Sequence, residues 1–102
     1  MNTDEPLLPG EELVRQGLAE LAQGKLTDYS LLVLIAAPQL RRLGIAVPDA
    51  PLPGPAEHRL YERLEERLGP GAHSYYNSLL RRIVSYTRAL EREQSIPANF
   101  KK

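Results

Sequence analysis

Few side chains in this sequence have the type and spacing that chemistry needs. The two histidines, His58 and His73, lie fifteen residues apart. Neither belongs to a His-Glu-x-x-His pattern, which sets two metal ligands on one helical face. Each sits near the start of its own helical segment, and antiparallel neighbours place their starts at opposite ends. A shared metal or acid–base pair is therefore not expected. Glu62, Glu65 and Glu66 are close together, but Arg59, Arg63 and Arg67 flank them. A general acid needs a pKa raised by burial or like-charge crowding, and neutralised surface acids lack both. The chain has no cysteine, which removes disulfides, cysteine-ligated metals and thiol nucleophiles. There is no phosphate loop, no Gly-x-Gly-x-x-Gly and no Gly-x-Ser-x-Gly elbow. The cluster His73-Ser74-Tyr75-Tyr76-Asn77 is the one place where a small enzyme pocket is conceivable. The more ordinary reading puts the tyrosine rings in the core and their hydroxyls at its rim. No catalytic residue, metal or cofactor is assigned, and a non-enzymatic role is expected.

Binding is better supported than catalysis. In the last helical segment Arg81, Arg88 and Arg92 recur at i, i+7 and i+11 and share a face with Ser74, Ser78 and Ser85, a stripe that could hold phosphates. A second edge of the same segment, Tyr75, Leu79, Arg82 and Tyr86, carries the residue types enriched in interface cores. The favoured expectation is an interaction or oligomerisation protein using that tyrosine edge, either as a homodimer or with another protein. The runner-up is a nucleic-acid-associated regulator using the arginine stripe. A helix–turn–helix over residues 18–43 is rejected, because its recognition helix would be the apolar run Leu31-Leu32-Val33-Leu34-Ile35-Ala36-Ala37, which offers base edges no donors.

That run organises the elements that would position these residues. It is apolar on every side and expected at the centre of the fold. Thr27 is a good N-cap for it, with Asp28 in the first turn, and Pro38 restarts the chain as a short helical turn ending at Gly44. A first helix is expected from Gly10 to Gln23, with Leu13, Val14, Gly17, Leu18, Leu21 and Ala22 on one side. Gly17 lies within that apolar arc and suits a close helix approach. Four prolines between Pro48 and Pro55 forbid a helix and favour an extended crossover over residues 45–55, packed through Ile45, Val47 and Leu52. A third helix opens at Gly54-Pro55-Ala56-Glu57 and buries Leu60, Tyr61, Leu64 and Leu68, while Arg59, Glu62, Arg63, Glu66 and Arg67 form a self-paired outer face. Gly69-Pro70-Gly71 turns the chain into a fourth helix, about residues 72–94, whose apolar arc of roughly 140° is wider than one neighbour requires.

The expected architecture is a single all-α domain over residues 10–94: four main helices plus a short turn, with a flexible arm at 1–9 and a frayed tail at 95–102. A chain of 102 residues can bury roughly 60–70% of its unfolded surface, enough for a core without staples. Thirteen basic and thirteen acidic residues cancel, which disfavours a polyelectrolyte built for nucleic acid. Residues 1–51 carry four basic and seven acidic groups and residues 52–102 nine and six, or −3 against +3, an arrangement that suits complementary packing between the halves. The acidic start does not resemble a signal peptide, and the central run is far short of the ~20 residues of a membrane span, so a soluble cytoplasmic protein is expected. Ten arginines against three lysines point by association to a bacterial source.

Overall fold

The computed structural model describes residues 8–100, without the side chains of 95–100. Five helices follow in order: α1 (Glu11–Ala22), α2 (Asp28–Ile35), α3 (Ala37–Arg42), α4 (Ala56–Leu68) and α5 (Ala72–Phe100), with a 3-10 turn (Gly69–Gly71) between the last two. No strand forms among the described residues. This is the all-α architecture expected, with α3 as the short turn. The expected arm lies mostly outside the described residues, as do the last two positions of the tail. The backbone of α5 continues to Phe100, six residues past the expected end at Gln94.

Local chemistry sets each boundary. Gly10 takes φ +78° at the start of α1, a conformation cheap only for glycine, and Glu11 and Glu12 meet the positive end of the helix. Thr27 and Ser30 form a reciprocal capping box at α2: the Ser30 amide donates to the Thr27 hydroxyl at 3.1 Å, and the Thr27 amide donates to the Ser30 hydroxyl at 2.6 Å. Pro38 sits in the first turn of α3, where its missing N–H costs nothing. Residues 45–55 form neither helix nor strand, and the Arg41 guanidinium pins them by donating to the Val47 carbonyl at 2.9 Å and to Asp49 at 3.0 Å.

The core gathers around the central run. Leu31, Leu32, Val33 and Ala37 are buried, and Leu34, Ile35 and Ala36 are half-buried against the same cluster. Leu13 and Val14 from α1, Leu40 from α3, Leu60 and Leu64 from α4, and Leu79 and Ile83 from α5 complete it. Each fully buried leucine contributes about 1.5–3 kcal/mol relative to exposure. Val47 closes the core from the crossover, with Ile45 and Leu52 half-buried beside it. Gly17 does allow a close approach: a Cβ there would stand 2.6 Å from both the Tyr29 carbonyl oxygen and Val33 Cγ2. Two expected core positions are exposed instead, Ala22 in the last turn of α1 and Leu68 in the last turn of α4.

Candidate functional site

Helices α4 and α5 form an antiparallel hairpin whose inward side covers α2 and α1. Its outward side carries an aromatic contact made by Tyr61, His73 and Tyr76. Tyr61 of α4 is the hinge of that surface. Its ring meets Tyr76 edge-on at 5.3 Å between centroids and His73 edge-on at 6.4 Å. Both partners lie one turn apart at the start of α5, so the aromatic contacts hold the two helices in register. His73 in turn stands 3.2 Å from the side-chain amide of Asn77. Burial pushes the Tyr76 hydroxyl pKa up, and the negative charge of Glu57 adds to it.

Two open clefts flank these aromatic groups. Toward the turn, Tyr61, Glu62, Glu65, Glu66, Gly69 and Pro70 line a cleft of about 780 Å³. Along α5, Asn77, Leu80, Arg81, Val84, Ser85 and Arg88 line one of about 450 Å³. The first holds three carboxylates and no base, the second two guanidinium groups and no acid. Val84 and Leu68 are the two most exposed large apolar residues described, at 44% and 41%.

The self-paired outer face expected on α4 does not form, and two of its three arginines, Arg63 and Arg67, find another partner. Arg63 and Arg67 reach across to Asp28 at the start of α2, at 3.1 and 2.8 Å, and no ion pair forms within α4. Burial of Asp28 alone would raise its pKa, but hydrogen bonds and charge from Arg67 and Arg63 outweigh it and hold the carboxyl below its ordinary value. The pair joins the acidic and basic halves of the chain, as their charge balance suggested. It leaves Glu62, Glu65 and Glu66 without an ion-pair partner among the described residues, with Glu62 and Glu66 also bordering a cleft of about 260 Å³ beside Arg59 and Arg63.

The cluster at residues 73–77 is split between two flanks of α5, with Tyr75 and Asn77 bordering different clefts. His73 and Tyr76 turn toward Tyr61, whereas Tyr75 points to the other flank, where it borders a polar cleft of about 260 Å³ with Tyr29, Arg63, Asp28 and Thr27. Consecutive residues on a helix are 100° apart, which is enough to split the cluster. Neither His73 nor Tyr76 lines any of the three clefts. Among the described residues no group of three or more histidines or carboxylates is placed to hold a metal.

The tyrosine edge is corrected more strongly. Leu79 is fully buried and Tyr86 is 6% exposed, so both belong to the core. The start of α1 covers Tyr86: Gly10 lies so close that a Cβ there would stand 2.6 Å from the Arg82 carbonyl oxygen and 3.2 Å from Tyr86 Cβ. Burial pushes the Tyr86 hydroxyl pKa up. Arg82 is exposed and Tyr75 half-buried, two remnants of an edge that α1 has occupied. Arg81, Arg88 and Arg92 are all exposed, without an ion pair among the described residues. No helix among these residues is long and apolar enough to cross a membrane. No protein-family model, curated protein sequence or solved structure matches the chain.

Proposed function

We propose that this protein is a non-enzymatic interaction module that binds another protein surface through the outward side of the α4–α5 hairpin. The observation that carries this reading is the combination at the cleft along α5. Val84 is exposed at its centre, Leu80 is half-buried beside it, and Arg81 and Arg88 flank them without carboxylate partners. An apolar centre with a charged rim is the anatomy of a protein–protein contact, and arginine is the charged residue most often found at its energetic centre. Binding a nucleic acid would use Arg81, Arg88 and Arg92 alone and leave the apolar centre idle. The neutral total charge gives that alternative no long-range support.

A photo-crosslinking side chain at position 84, compared with one at the exposed position 12 of α1, tests this in living cells. Protein adducts are expected at position 84 and not at position 12. Nucleic-acid adducts at 84 would transfer the assignment to the arginine stripe. No adduct above the position-12 control would remove the surface from consideration.

A further inference from the structure

The outward side of the hairpin is one continuous surface with opposite charge at its two ends. Glu62 and Glu65 share a cleft with Tyr61, Tyr61 touches His73, His73 meets Asn77, and Asn77 opens the cleft of Arg81 and Arg88. Moving away from Tyr61, the carboxylates run toward the turn and the arginines run the other way along α5. At about 1.5 Å per helical residue, Val84 lies roughly 16 Å beyond His73 and Glu65 roughly 6 Å beyond Tyr61. The two charge centres are therefore roughly 20 Å apart, more than twice the screening length of about 8 Å at physiological salt. They do not neutralise each other within the chain. Each end also carries an exposed apolar residue, Leu68 by the carboxylates and Val84 by the arginines.

A surface that is acidic at one end and basic at the other is complementary to itself after a half-turn. We propose that the occupant of this surface is a second copy of this chain, related by a two-fold axis passing near His73 and Asn77. Glu62 and Glu65 of each copy then lie over Arg81 and Arg88 of the other, and Leu68 of each faces Val84 of the other. The contact is isologous, so it closes at two copies. Two helix widths along the roughly 20 Å of α4, and one width along the rest of the surface on α5, give an area below the ~800 Å² per partner of stable complexes, which fits a weak, reversible, salt-sensitive dimer. This inference rests on reading the same surface as an interaction site and adds the identity of its partner.

Sedimentation equilibrium of the full chain tests it with two charge-reversed variants, Arg81→Glu/Arg88→Glu and Glu62→Arg/Glu65→Arg. The wild type should form a dimer whose dissociation constant rises about tenfold between low and high salt. Each variant alone should associate at least about tenfold more weakly, because like charges now oppose at both ends. An equimolar mixture of the two variants should recover a one-to-one dimer, since every reversed contact is again matched. A wild type that stays monomeric at millimolar concentration overturns the inference, as does a dimer indifferent to both variants or a mixture that fails to recover. Growth beyond two copies overturns the two-fold arrangement in favour of a head-to-tail one. If a reversed variant loses its helical circular dichroism, Arg81→Gln/Arg88→Gln carries the same test, with weakened wild-type-like association expected. A monomeric wild type that still crosslinks from position 84 to a different protein sinks only the self-pairing, whereas loss of those adducts sinks the interaction surface as well.

Discussion

The inward and outward sides of the α4–α5 hairpin are built from interleaved residues of the same two helices, yet they behave as different materials. Inward, Leu60, Leu64 and Leu79 have no solvent exposure, and Ile83 and Tyr86 have almost none. Arg63 and Arg67 on that flank share one carboxylate from α2. Outward, Leu68 and Val84 are more than 40% exposed, and Glu62, Glu65, Glu66, Arg81 and Arg88 have no charged partner among the described residues. What separates the two sides is whether a neighbouring helix is present, not the kinds of residue available. Truncation should measure the contrast directly. Leu79→Ala is expected to cost about 2–5 kcal/mol, a lost side chain plus an unfilled cavity. Val84→Ala should stay within about 0.5 kcal/mol. Urea denaturation of dilute protein reads both, and comparable losses at the two positions would erase the distinction.

Glycine substitution sharpens the same contrast at the backbone. Alanine is the better helix former by about 1 kcal/mol, so propensity alone makes Gly17→Ala stabilising. The inward side reverses that sign. The new methyl would stand 2.6 Å from the Tyr29 carbonyl oxygen and from Val33 Cγ2, and prising α1 from α2 is expected to cost about 1–3 kcal/mol net. At the outward turn, Gly71→Ala meets only Leu68 Cβ at 4.0 Å, an ordinary contact, and should be close to neutral. Thermal melts of the two variants check the pair. A Gly17→Ala protein as stable as wild type would mean that the α1–α2 crossing has slack.

The elements were legible because their signals are local. Thr27, Pro38, Gly44, the proline-rich crossover and Gly69-Pro70-Gly71 each act within a few residues, and each lies where its chemistry requires. The close approach at Gly17 was legible too, as a glycine inside an apolar arc has few other uses. The site was not, because it depends on which neighbour covers which side. The wide arc of α5 correctly signals two neighbours, but nothing in its periodicity says that α1 crosses at Arg82 and Tyr86 and buries the tyrosine edge. The arginines of α4 mislead in the same way. Spacing pairs them with glutamates one turn away, whereas packing offers Arg63 and Arg67 a more buried carboxylate from thirty-five or more residues earlier. Tyr61 had a visible signal at the margin of its apolar arc, but its role in joining the two clefts exists only once α5 lies beside it.

The Asp28 pair gives the smallest effect and the finest test of the contrast, since it is the inward counterpart of the unpaired outward charges. Both guanidinium groups are close to half exposed, so solvent screens them and the pair is expected to contribute only about 0.5–1 kcal/mol. Asp28 also sits in the first turn of α2, where its charge favours the helix dipole by a similar amount at most. Asp28→Asn should therefore lower stability by about 1 kcal/mol at neutral pH. Its carboxyl pKa is lower in the folded chain than in the unfolded one, so the unfolded state takes up the proton first as pH falls. The stabilisation is then fully present above the ordinary aspartate value of about 3.9 and fades as pH drops through the lower folded value. Urea midpoints of wild type and Asp28→Asn should differ at pH 7, converge only as pH falls through the lowered folded value of the Asp28 carboxyl, and differ less in high salt. The Glu65→Gln variant on the outward side, at pH 7 and at protein concentrations too low for association, should stay within about 0.5 kcal/mol of wild type. If Glu65→Gln behaves like Asp28→Asn, the outward carboxylates have partners within the chain, and the surface is not held open for a second copy.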